Sequence, residues 1–298
     1  MTPKTPQTLT LSAGPLRCDI MPTLGGCVAG LWWQAEAILL NQPPSYLQIP
    51  QASARDAASY ALIPYSNRIG NARLDWLGQT YALRKNFSPE PHALHGVAWE
   101  RAWAVHSHSA SHIELHYAHA ADSSWPFAFD ATQAMSLDAR GLTVALSVTN
   151  RHTSHAPAGL GWHPYFAKRA GMRLSFSAAG RWAMGADKLP THLEATSGLV
   201  ADCATLDVDH CFEGVAGTIR LTDPAFTVEV SSSTQRLVVF TRPERDNIAI
   251  EPVSHVNNAL NLAASTGQPF EVLGMRSLAV GERINYEMHI EIKRTLGR

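Results

Sequence analysis

Leu142-Thr143-Val144-Ala145-Leu146-Ser147-Val148-Thr149 sets an apolar side chain at every even position and a small or polar one at every odd position. Period two is the repeat of a half-buried strand, because successive Cβ atoms point to opposite faces of a pleated backbone. A helix would scatter these residues around its axis. Outward from this stretch, similar short runs rich in β-branched and aromatic residues recur at Thr8 to Ser12, Cys27 to Trp33, His112 to Tyr117 and Met172 to Ser177, and again at Phe226 to Val230, Leu237 to Thr241 and Ile284 to Ile292. Most are bounded by Gly, Pro, Asn, Asp or Ser, the residues that turn a chain. Many short strands without βαβ alternation predict an all-β fold, a sandwich or barrel-like assembly. No 3.6-period stretch of helix length is present, so short helices are expected only near Ser53 to Tyr60 and Asn258 to Ala263. Gly185 to Asp202 reads as a loop. Without internal repeat or linker, residues 1–298 are expected to form one domain.

Charged residues make up 16% of the chain, well below the usual ~25%. With a net charge of -1 there is no basic face to neutralise a phosphate backbone, which argues against nucleic acid as a partner. No run approaches the ~18 apolar residues of a membrane span, and Met1-Thr2-Pro3-Lys4-Thr5-Pro6 has no signal-peptide core, so a cytoplasmic protein is expected. Cys18, Cys27, Cys203 and Cys211 form no C-x-x-C pair and are expected to be reduced, structural thiols.

Three polar islands interrupt the apolar runs. In Ile248-Ala249-Ile250-Glu251-Pro252 a carboxylate closes an apolar stretch, and the proline is expected to end the strand there. In Gly159-Leu160-Gly161-Trp162-His163-Pro164-Tyr165-Phe166 the glycines admit close backbone approach, and the three aromatic residues are expected to supply flat walls for a sugar ring around His163. The third is His92-Ala93-Leu94-His95-Gly96, with Asn67 and Arg68 upstream offering amide and guanidinium donors.

In this order Asn67-Arg68-Ile69, His92 to Gly96, the His163 segment, Asp209-His210-Cys211-Phe212 and the Glu251 segment with Asn258-Ala259-Leu260-Asn261 resemble the landmarks of the aldose 1-epimerase (galactose mutarotase) family. The resemblance implies a large antiparallel β-sandwich acting on a small-molecule sugar, with Glu251 as base, His163 as general acid, and His95, Arg68, Asp209 and Asn67 on substrate hydroxyls. It implies no metal, nucleotide or other cofactor. The form of the His163 and Glu251 motifs is similar to the divergent bacterial branch, so the implied substrate is a free hexose rather than galactose in particular. The chemistry requires an ionised Glu251 and a His163 whose pKa is not driven far below ~6.5.

Three other readings fit some of these residues. An anionic sugar would need cations at the pocket rim, for which Arg68, Arg73, Lys85, Arg169 and Arg242 are available. A sugar-binding protein without turnover would keep the pocket but not need both acid and base. A glycosidase could pair Asp209 with Glu251 at about 5 to 10 Å, leaving the histidine motif without a role. The run His106 to His116 looks metal-friendly, but its parity predicts Val105, Ile113, Leu115 and Tyr117 inward and the histidines on a solvated face. Trp32-Trp33 and Trp99 with Trp103 read as packing residues, and His255 as an orienting or structural one.

Overall fold

A computed structural model describes residues 7–39 and 52–295. The alternating stretch lies inside strand Gly141–Asn150, with Leu142, Val144, Leu146 and Val148 buried. It pairs antiparallel with Phe129–Leu137 on one side and Arg283–Arg294 on the other. These three are central in a nine-stranded antiparallel sheet whose remaining members run out to the edge strands Ala104–His108 and Leu199–Asp202. An eight-stranded sheet runs from edge strand Pro190–Ala195 through Gly180–Met184, Val208–Glu213, Arg236–Thr241 and Asn247–Val253 to Gly161–Trp162 and Ala61–Leu62, with Tyr165–Ala167 also pairing to Asn247–Val253. Tyr286 of the first sheet donates its hydroxyl to the Pro252 carbonyl of the second at 3.1 Å, fastening one to the other. Buried apolar side chains from both sheets form one contiguous cluster. This is the large antiparallel β-sandwich expected.

Short helices fall at both expected places, as a 3-10 turn at Ala54–Asp56 closed by a Ser53/Asp56 capping box and an α-helix at Ala259–Thr266, while further 3-10 turns at Gly70–Ala72 and Ala98–Glu100 were not expected. Gly185 to Asp202 is not a loop: it carries the edge strands Pro190–Ala195 and Leu199–Asp202. Both are largely solvent-facing, so neither shows the apolar alternation that betrays a half-buried strand.

Parity holds along His112–His119, where Ile113 and Leu115 are fully buried, but fails at Val105, which is 45% exposed. A β-bulge between Val105 and Ser107 shifts the register of this edge strand. The shift brings His106 against His116, ring on ring at 4.3 Å, while His116 contacts Glu114 at 2.6 Å. Trp99 and Trp103 are buried and Trp33 packs edge-on against Phe226, as packing residues should. All four cysteines are buried and free, and burial raises every thiol pKa.

Candidate active site

Strand register assembles the site. Glu251 lies opposite Val238, Ala249 opposite Phe240, and Asp209 opposite Phe240 on the next strand. Cross-strand partners share a face of the sheet, so Glu251, Val238, Phe240 and Asp209 point the same way. All four floor a cavity of about 330 Å³, whose walls include Asn67, Arg68, His95, His163 and Tyr165. Every site residue expected from the sequence therefore converges on one pocket.

Glu251 does not end its strand. Asn247–Val253 continues through Pro252, because the neighbour on that side changes from Tyr165–Ala167 to Gly161–Trp162 in this stretch. Ile250 donates to Pro164 across this gap, and backbone donors alternate sides, so the missing N–H of Pro252 falls where the ladder is interrupted. The aromatic residues also sort by parity. His163 and Tyr165 face the cavity, whereas Trp162 and Phe166 are buried in the core and give the sugar no wall.

His163 is fixed on several sides. Its backbone N–H donates to the Tyr60 carbonyl, its ring stacks on Tyr60 at 4.8 Å, Tyr165 meets it tilted at 4.5 Å, and His95 meets it edge-on at 5.2 Å. Its Nε2 lies 3.1 Å from Glu251 Oε1, with both side chains almost wholly buried. Glu251 Oε2 is buried without a partner, a free acceptor. Burial, reinforced by the Asp209 charge, raises the Glu251 pKa well above the carboxylate range. Burial, reinforced by Arg245, pushes His163 down to about 3. The expectation that His163 stays near its ordinary pKa is thus corrected: desolvation disfavours the charged form of both groups.

Asn67 and His95 hold each other in left-handed backbone, at φ 54 and 60. Asn67 N–H donates to His95 Nδ1 at 3.1 Å and His95 N–H returns a bond to the Asn67 carbonyl at 2.8 Å. With Nδ1 an acceptor, neutral His95 carries its proton on Nε2. Arg68 is less free than expected. Its fork grips Glu90 at 2.7 and 2.9 Å, its Nη1 donates to Asn67 Oδ1, and Glu90 also accepts Lys188 at 2.6 Å. These cations drive the Glu90 pKa down to about 2. Glu90 and Lys188 escaped sequence reasoning because nothing local marks them as partners of Arg68.

His255 is the structural residue it was expected to be. Its Nδ1–H donates to the Val256 carbonyl and its Nε2 accepts the Ser66 N–H at 3.0 Å, which anchors the segment leading into Asn67. Gly159 is required beside it, since a Cβ there would lie 2.1 Å from His255 Cδ2. Gly159→Ala is expected to destabilise the fold by about 1 to 3 kcal/mol through overpacking. A thermal melt checks this, and an unchanged midpoint would contradict it.

The buried histidines confer acid lability. Unfolded imidazoles take up protons near 6.5, whereas folded His255 does so only at about 4 and His95 lower than its ordinary value by a wide margin. As pH falls below 6.5 the unfolded state therefore binds protons that the folded state refuses, and stability drops. The raised carboxyl of Glu251 works in the opposite sense and offsets His163. His95, His119 and His255 remain, all lowered by burial, and His255 alone is worth about 2 kcal/mol between pH 7 and pH 5. Urea titrations at the two pH values should show a loss of about 2 kcal/mol or more at pH 5, and equal stability would contradict the burial of neutral imidazoles.

With this geometry in place, comparison with known proteins is direct. The chain belongs to the aldose 1-epimerase family, whose model matches residues 7–291. It is 29% identical to the uncharacterized Escherichia coli protein YphB over 95% of this chain and 98% of the relative. A solved structure from E. coli K12, a candidate aldose 1-epimerase, shares 28% identity and a TM-score of 0.85 over 97% of this chain and 99% of its own. A galactose mutarotase-like protein from Clostridium acetobutylicum has the same fold at 18% identity, with a TM-score of 0.82 over 97% and 96% of the two chains. No helix among the described residues is long and apolar enough to cross a membrane.

Proposed function

We propose that the protein is an aldose 1-epimerase that interconverts the anomers of a hexose with Glu251 and His163 as its acid–base pair. The observation that carries this reading is the 3.1 Å contact between two buried titratable groups on the floor of a sugar-sized pocket. A cyclic aldose is a hemiacetal, so opening it requires removal of the C1 hydroxyl proton and protonation of the ring oxygen. Glu251 takes the first proton and His163 gives the second, leaving an open-chain aldehyde. Rotation about C1–C2 presents the other carbonyl face, and reclosure with the roles reversed yields the other anomer.

The pair starts this cycle with one proton between its members. Neutral Glu251 with neutral His163, and ionised Glu251 with protonated His163, are tautomers related by one transfer along their contact. Entry of sugar hydroxyls makes the pocket more polar and favours the ionic form. His95 Nε2–H, Asn67 and Asp209 supply donors and an acceptor for other hydroxyls, and Arg68 lines the same wall with its fork held on Glu90. Polarimetry of freshly dissolved α-anomers tests the reading. Faster relaxation than in buffer is expected, and relaxation at the buffer rate for every sugar tried would sink it.

A further inference from the structure

The charged lining of the pocket falls into two groups. Arg68 and Lys188 are paired with, and share, the single carboxylate of Glu90. Arg55, Arg242 and Arg245 line the same cavity, and among the described residues none of them forms an ion pair with a carboxylate. They arrive from distant parts of the chain: Arg55 from the 3-10 turn Ala54–Asp56, Arg242 and Arg245 from the turn after strand Arg236–Thr241. Of the cations named from the sequence, only Arg68 and Arg242 reach the pocket. Arg73 and Arg169 are engaged elsewhere by Asp75 and Asp223.

Two of these guanidinium groups are held flat by aromatic rings, and Arg245 also donates Nε and Nη2 to the neutral Asn247 Oδ1, both at 3.4 Å. Arg55 stacks over Phe87 at 4.0 Å and lies 5.5 Å from Trp99, and Arg245 lies over Phe240 at 5.0 Å. Stacking fixes the plane of a guanidinium without using its N–H groups, so Arg55 keeps a whole N–H edge for a bidentate acceptor and Arg245 keeps the Nη1 side left over by Asn247. Phe240 is itself on the pocket floor opposite Asp209, so Arg245 is carried directly above the site. Both Arg55 and Arg245 act electrostatically on the Tyr165 hydroxyl, consistent with their flanking one side of the cavity. Besides Glu90 and Glu251, two further acidic side chains face this space. Asp56 accepts the Ser53 N–H in the capping box, and Asp209 lies beside Glu251 and Arg68. Neither contacts the three arginines.

We propose that Arg55, Arg242 and Arg245 form an anion subsite, and that the sugar processed here carries a phosphate, sulfonate or carboxylate remote from its anomeric carbon. The proposal rests on the mutarotase reading for its turnover and on the arginines for its charge. With C1 at Glu251 and His163, the far end of the ring points to the rim, where Arg242 is exposed and Arg55 and Arg245 are half-buried. Charge-assisted, bidentate bonds to an anion are the strong use of such groups, and neutral hydroxyls would leave them unmatched. The anion also has a catalytic consequence. Seated against Arg245, it screens the positive charge that opposes protonation of His163.

The test is anomeric exchange measured by NMR saturation transfer on glucose, galactose, glucose 6-phosphate, glucuronate and 6-deoxy-6-sulfoglucose, with native protein and with Arg55→Gln and Arg245→Gln. At least one anionic sugar should exceed both neutral ones in kcat/KM by tenfold or more. Each variant should cut that preference at least tenfold, mainly through KM, while Arg245→Lys retains part of it. Equal or faster turnover of neutral sugars, or a preference untouched by both variants, overturns the subsite. If no sugar of either class is accelerated, the mutarotase reading fails by itself. The subsite is then judged by calorimetric titration with glucose 6-phosphate and inorganic phosphate: binding weakened tenfold in Arg245→Gln supports it, and absence of binding overturns it.

Discussion

Glu251→Gln is expected to lower kcat for anomer exchange by about 10² to 10⁴ while leaving sugar affinity within a few fold. The substitution keeps the size of the side chain and its reach to His163, so the pocket retains its shape. What disappears is the group proposed to exchange a proton with the C1 hydroxyl. Stability supplies the control. The Glu251 carboxyl is desolvated and resists ionisation, so the neutral amide should leave the fold as stable as before, or more stable at alkaline pH. Loss of turnover together with loss of folding would point to a structural role instead.

His163→Asn should reduce turnover over the same range of about 10² to 10⁴. The ring is lost from its stack on Tyr60 and its tilted contact with Tyr165, so a modest loss of stability, on the order of 1 to 2 kcal/mol, accompanies it. The informative measurement is the double variant with Glu251→Gln. Two groups that move one proton each in a single step act as a unit, and removing both should be little worse than removing either. Fully multiplicative losses would mean that the two side chains act independently, contrary to their contact at 3.1 Å.

What the chain reveals before folding depends on whether the signal is local. The Leu142 to Thr149 alternation names a central strand because that strand has one buried face along its whole length. Pro190–Ala195 and Leu199–Asp202 sit at sheet edges in solvent, carry no such pattern and pass for loop. Glu251 and His163 stand out because a titratable residue inside an apolar run needs a reason. Arg55 and Arg245 have no such contrast with their neighbours, and only the fold brings them to one cavity. Proton affinity is invisible in the same way. The shift of His163 to about 3 comes from burial and from Arg245, many residues away in the chain. Pro252 misleads for a geometric reason, since it falls where the sheet ladder is already interrupted.

The most direct test of the central claim is two-dimensional exchange NMR on an aldose labelled with ¹³C at C1, at anomeric equilibrium, with native protein and with Glu251→Gln. Cross-peaks linking the α and β C1 resonances should build up with native protein far faster than in buffer, and at close to the buffer rate with the variant. Equal build-up with both proteins would remove Glu251 from the chemistry, and build-up no faster than buffer with native protein, for neutral and anionic sugars alike, would contradict the assignment of this pocket to anomer exchange.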